Sequence, residues 1–260
     1  MAHNSENKSI SIQLTAVVLF CVVAATATSH AALSFDYLSD HQNPDGSFGD
    51  TPTALATPFQ STAEVLRTYQ ALGATSHAGF RAALVFLSSN TENNTEFLAR
   101  KIVVNAEAGS DVSSLVSELL AHQNVDGGYG DFSGFDNSVL DTVFALEALT
   151  IAGVPPGAAV NSAVAFLLNR QQADGGWADG ANDSSVYLTA LAVRALAPYR
   201  TVFVGVADAV ANGQDFLLSQ RDTNGLWQES FETALALIAL VPVVPNVALI
   251  GPSVQSLDRK

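Results

Sequence analysis

Five apolar segments of the chain end in Ala-Leu or a near variant. Aligned on those ends, Glu64, Arg100, Asp141, Leu188 and Glu232 share one position. Thr142, Thr189 and Thr233 each follow one residue later, and Tyr187 and Phe231 stand just before. Carboxylates spaced in this way can exchange protons with a substrate or accept hydrogen bonds from a cation or a hydroxyl. In the first role Asp141, Glu232 and Glu64, with Tyr187, are the catalytic candidates. In the second, Glu64, Arg100, Asp141, Thr142, Tyr187, Thr189, Phe231, Glu232 and Thr233 form the rim of a ligand site. Acids in the first turn of a helix are also favoured by the backbone dipoles alone, which explains the same positions without any ligand.

A second set of acids lies in loops: Asp45 with Asp50, Asp126 with Asp131 and Asp174 with Asp179, followed by Asp136 and Asp183. Calcium takes several oxygens from flexible loops, so it is the one cation these segments suggest, although their spacing is not that of a helix-loop-helix calcium site. No other cofactor or metal is expected. His41, His77 and His122 show no ligand spacing, and the single cysteine, Cys21, lies in an N-terminal apolar run. No Ser-His-Asp order or phosphate-cradling glycine loop stands out.

These residues hang on a repeat. Gln42-Asn43-Pro44-Asp45-Gly46-Ser47-Phe48, Gln123-Asn124-Val125-Asp126-Gly127-Gly128-Tyr129 and Gln171-Gln172-Ala173-Asp174-Gly175-Gly176-Trp177 share one plan, and Gln220 to Trp227 follows it with an extra residue. The 81-residue gap between the first two predicts a degenerate copy, which Phe80 to Leu87 and the Asn-rich turn after it supply. Val160, Val164, Phe166, Leu167 and Leu168 form one apolar stripe of the fourth copy, and Val186, Leu188, Leu191, Val193 and Leu196 the other, both at helical spacing. Each unit therefore reads as a helical hairpin, broken from the next by Gly73, Gly109 or the group Gly153, Pro155 and Pro156. Gln42, Asp45, Gln123, Asp126, Gln171, Asp174, Trp177, Gln220 and Trp227 are expected to be joints between hairpins: Asp bonds nearby amides, Gly frees the turn, and the aromatic covers the seam.

The Gln-to-aromatic motif, most complete from Gln171 to Trp177, resembles the prenyltransferase and squalene-cyclase repeat. That resemblance implies an all-α fold, an α/α toroid of about five hairpins, which could be an incomplete or open ring. It spans families with different chemistries, so it names no reaction by itself. Class II cyclases use the middle acid of a D-x-D-D-T-A stretch, and the nearest segment here, Ser138-Val139-Leu140-Asp141-Thr142-Val143, puts Leu140 at that place. The zinc cysteine of protein prenyltransferases and the cysteine of thioester domains have no counterpart after Cys21. Polysaccharide lyases with a similar toroid leave an enzyme using rim carboxylates as the alternative.

The chain has 260 residues, 48% of them hydrophobic and 14% charged, enough for a large buried core. Lys8 followed by the apolar run Ile10 to Ala27, with Ser29 and Ala31 before a cleavage point, reads as a signal peptide over residues 1–31. The toroid domain is then expected over 32–240 and a linker or tail over 241–260, in a secreted, periplasmic or cell-surface protein. A formal charge of −14 disfavours nucleic acid and strong membrane association after cleavage. The expected function is a non-catalytic module that binds a small molecule or glycan, with an additional domain or partner as a further candidate to close the ring.

Overall fold

A computed structural model describes residue 35 and residues 37–49, 56–180, 183–223, 227 and 230–241. The expected signal peptide and all but the first residue of the expected tail lie outside these. The chain divides into two compact units, Met1–Ser89 and Asn90–Lys260. Among the described residues no helix is long and apolar enough to cross a membrane.

The first unit contains a helical stretch at residues 37–40, then α1 (Pro58–Ala71) packed against α2 (Ala78–Ser89). Helix α1 starts where Thr57 and Gln60 cap each other's backbone and Pro58 supplies a helix-ready φ. Its apolar face buries Phe59, Leu66 and Tyr69.

The second unit runs α3 (Thr95–Glu107), α4 (Ser113–Leu120), α5 (Val139–Ile151), α6 (Ala158–Arg170), α7 (Val186–Leu196), a 3₁₀ turn at Ala197–Tyr199, α8 (Val206–Ser219) and α9 (Ser230–Leu240). A two-residue antiparallel ladder, β1 (Tyr129–Gly130) with β2 (Asn137–Ser138), precedes α5 and pairs Tyr129 with Ser138. Helices α3, α5, α7 and α9 pack side by side in that order, while α4 lies on α3, α6 on α5 and α8 on α7. The layering gives an inner row of second helices backed by an outer row of first helices, which is the α/α-toroid arrangement. One continuous core from Leu98 to Ala239 fills the space between the rows.

The joints explain why these residues repeat. Gln123 Nε2 donates to Gly127 O of its own turn (2.9 Å) and to Ala159 O at the start of the next outer helix (2.8 Å). Gln171 does the same to Gly175 O and Ala209 O, and Gln42 to Gly46 O and Gly79 O. Gly127 sits at φ +91°, and a Cβ there would stand 2.3 Å from Ser162 O; Gly175 is held in the same way against Asn212 O. The turn therefore rests directly on the backbone of the following helix, and only glycine fits. Asp126 and Asp174 accept from the N–H two residues on, as Asp45 does from Ser47.

The aromatic residues carry the inner half of the joint. The N–H of Phe48, Tyr129, Trp177 and Trp227 donates to Thr62, Thr142, Thr189 and Thr233 respectively, at 2.8 to 3.2 Å. Both indoles also donate to an outer-helix carbonyl, Trp177 to Leu167 O and Trp227 to Leu217 O. Gln220 has an extra residue in its turn, and its exposed amide donates to Ser219 Oγ at 3.3 Å; residues 224–226 of that turn lie outside the described residues. In the degenerate copy Lys101 replaces the motif, its buried Nζ donating to Asn90 O and Glu92 O and so pinning the turn onto α3.

Candidate functional site

Because the outer helices cover one side of the inner row, the other side is where a ligand can meet the second unit. At helical spacing Leu140, Phe144, Glu147 and Ile151 share one face of α5, Glu96, Arg100, Val103 and Glu107 one face of α3, and Tyr187, Leu191 and Arg194 one face of α7; of these Phe144, Val103 and Leu191 are buried and belong to the core. Two cross-helix contacts join these faces. Arg100 lies over the Phe144 ring, 5.0 Å from its centroid, and its Nε bonds Glu96 Oε1 at 2.8 Å. Arg194 Nη2 bonds Glu147 Oε2 at 2.9 Å. These four charged side chains are only 14–25% exposed, so each pair is partly desolvated and more than a surface ion pair.

At the N-terminal end of the row stands Asp141. Its own N–H donates to Ser138 Oγ (2.8 Å), and Ser138 Oγ donates back to Asp141 Oδ2 (2.6 Å). Burial raises its pKa to about 6; the Ser138 bond opposes the shift, and the negative charges of Asp131, Asp179 and Glu96 add to it. Asp179 is tied down by accepting the N–H of Val139 at 2.6 Å, which caps α5. Beside them, buried Thr95 donates to Gly130 O and therefore accepts from His122 Nδ1 at 2.9 Å, which fixes the Nδ1-protonated tautomer. His122 is held below its ordinary pKa by burial.

The structure keeps Asp141 and Leu188 at one level, as the Ala-Leu alignment had them, but moves Arg100 off it. Caps, not helix ends, set the register: Ser138 caps at Asp141, Ser185 at Leu188 and Asn94 at Phe97, so Arg100 stands about one turn beyond the Asp141 level. Thr62, not a residue after Glu64, is the partner of the first motif aromatic, and Glu64 is exposed in the other unit. Thr142 and Thr189 are fully buried with their hydroxyls committed to the joint, and Thr233 makes the same bond, so all three are mortar rather than rim. Tyr187 and Glu232 are half-buried on α7 and α9, and the Phe231 side chain lies outside the described residues. Glu147, Arg194, Glu96 and Phe144 are the positions that sequence reading missed. The available signal was a charged residue at helical spacing inside otherwise apolar helices.

The loop acids Asp45, Asp126 and Asp174 serve their own turns. Among the described residues no group of three or more His, Cys, Asp or Glu side chains is arranged to hold a metal. His41 stacks on Tyr37, and His77 Nδ1 accepts from Gly79 N.

No curated protein matches the sequence. Among solved structures, a protein from Actinoplanes is similar over 78% of this chain and 68% of its own, at 21% identity and a TM-score of 0.59. An ent-copalyl diphosphate synthase from Streptomyces platensis is similar over 78% of this chain and 45% of its own, at 23% identity and a TM-score of 0.55. A type II terpene cyclase from Scytonema, in complex with geranylgeranyl dihydroxybenzoate, is similar over 74% of this chain and 62% of its own, at 22% identity and a TM-score of 0.54. The chain thus spans less than two thirds of either cyclase, and the likeness at these identities is one of fold. Residues 93–226, just over half of the chain, match the family model of the prenyltransferase alpha-alpha toroid domain. Helix pairs, stapled turns and this match agree: the chain belongs to the prenyltransferase alpha-alpha toroid domain family.

Proposed function

We infer that this chain is an exported toroid domain that binds a small ligand or glycan along the inner row of its second unit and performs no chemistry on it. The observation that carries this reading is the state of the inward positions. Leu140 occupies the first inward position of α5, and the inward carboxylates Glu96 and Glu147 are bound to Arg100 and Arg194. A carboxylate held by a guanidinium is a poor proton donor but a good acceptor for hydroxyls, and half-buried Tyr187 adds apolar surface on the neighbouring helix. The apolar run from Ile10 to Ala27 supports export to the cell surface, periplasm or medium. Purified chain incubated with oligosaccharides and with geranylgeranyl diphosphate is expected to retain ligand and release no product.

The second reading is a diverged enzyme, and one observation favours it: Asp141 is a half-buried carboxyl whose pKa, about 6, suits a proton donor near neutrality. Product formation that disappears in Asp141→Ala would replace the binding reading with this one.

A further inference from the structure

The segment between β1 and β2 carries something the joint does not need. Residues 130–137 read Gly-Asp-Phe-Ser-Gly-Phe-Asp-Asn, whereas the corresponding stretches 49–56 and 178–184 contain no aromatic residue and yet lead into α1 and α7. Phe132 and Phe135 are 36% and 59% exposed, and their ring centroids lie 5.7 Å apart at 59°. Buried His122 backs Phe132 at 6.1 Å. Scattered apolar residues on a surface are ordinary. A pair added to one copy of a repeat and held in a fixed pose is not explained that way.

The loop backbone is fixed at three points. Thr95 donates its N–H to Asp131 O (2.8 Å) and its hydroxyl to Gly130 O, and Asn124 Nδ2 donates to Phe135 O (2.7 Å). The Phe135 N–H closes the turn on Phe132 O at 3.1 Å. Exposed Asp131 and Asp136 flank the rings as hydrogen-bond acceptors, and the loop contains no cationic side chain.

We propose that Phe132 and Phe135 form a stacking platform for a sugar ring, a subsite for a neutral oligosaccharide at the edge of the site described above. The C–H groups on one face of a pyranose meet the electron-rich ring faces, while its equatorial hydroxyls donate to the Asp131 and Asp136 carboxylates. A neutral ligand fits because the acids repel phosphate and carboxylate groups. The fixed loop removes much of the ordering cost of binding. The inference rests on the binding reading, but on a different set of side chains.

The test is saturation-transfer NMR of the full chain with neutral cello-, xylo- and chito-oligosaccharides. Transfer to sugar C–H protons is expected for at least one of them. Phe132→Ser with Phe135→Ser is expected to weaken that binding about tenfold or more, a loss of about 1.4 kcal/mol, with the melting temperature unchanged. Phe135→Leu keeps an apolar side chain but no ring face, so it gives the same loss even where the double variant folds poorly. Unaltered affinity in Phe135→Leu overturns the platform, as does preference for a lysine-rich peptide over every sugar. Sugar binding lost in Arg194→Ala but not in Phe135→Leu overturns the platform and leaves the inner-row reading standing; no sugar binding at all overturns the platform, while diphosphate retention still tests that reading.

Discussion

Two buried hydroxyls at the third joint have opposite consequences for stability. Thr142 Oγ1 accepts the Tyr129 N–H and donates to Ser138 O, so Thr142→Val strands a buried donor and is expected to cost about 1–3 kcal/mol in urea unfolding. Among the described residues the buried Tyr129 hydroxyl has no hydrogen-bond partner, whereas the equivalent indoles of Trp177 and Trp227 each find a carbonyl. Tyr129→Phe is therefore expected to leave stability unchanged or raise it by up to about 1 kcal/mol, because it removes an unpaired polar group. Asp141 adds a pH dependence. Its folded-state pKa, about 6, lies above the ordinary 3.8, so its contribution is fully present below pH 3.8 and is lost as pH rises through about 6. Asp141→Asn is expected to stabilise the chain by about 1–2 kcal/mol at pH 7, after discounting for solvent screening, and to have no effect by pH 4. Parallel melts of both chains across that range would show whether the gain fades in the expected direction.

Helices are where the sequence was most readable. Apolar faces recurring at helical spacing, and a Gln-Asp-Gly turn at intervals of about fifty residues, marked α4 to α9 as pairs before any coordinates. The inner helices' registers were not readable, because capping residues such as Ser138, Ser185 and Asn94 fix where a helix begins while the Ala-Leu ends float. That is why Arg100 was aligned with Asp141 and instead stands about one turn further along its helix. The Arg194–Glu147 pair was equally hidden, since it joins side chains 47 residues apart whose pairing depends on the spacing of two neighbouring helices. Turn geometry makes a sharp prediction for these elements. Gly127→Ala puts a methyl group against Ser162 O at a positive φ, and is expected to cost about 3 kcal/mol or more, through backbone strain and separation of α6 from the turn. Faster amide exchange at the start of α6 would localise the damage.

For the chain as a whole, the core from Leu98 to Ala239 belongs entirely to the second unit, and the family match lies inside it as well. A fragment starting at Asn90 is therefore expected to fold alone, giving a helical circular-dichroism spectrum and a single cooperative melt. A fragment that melts gradually would show that the first unit is needed to complete the core. The Gln staples and glycine contacts of this fold have a further consequence for how it can change over time. A staple that grips main-chain oxygens recognises no side chain on its neighbour, so the staple itself can form on any outer helix of the repeat. Copies can then be added or moved without co-ordinated changes in their partners, and the inward stripes are left to diversify.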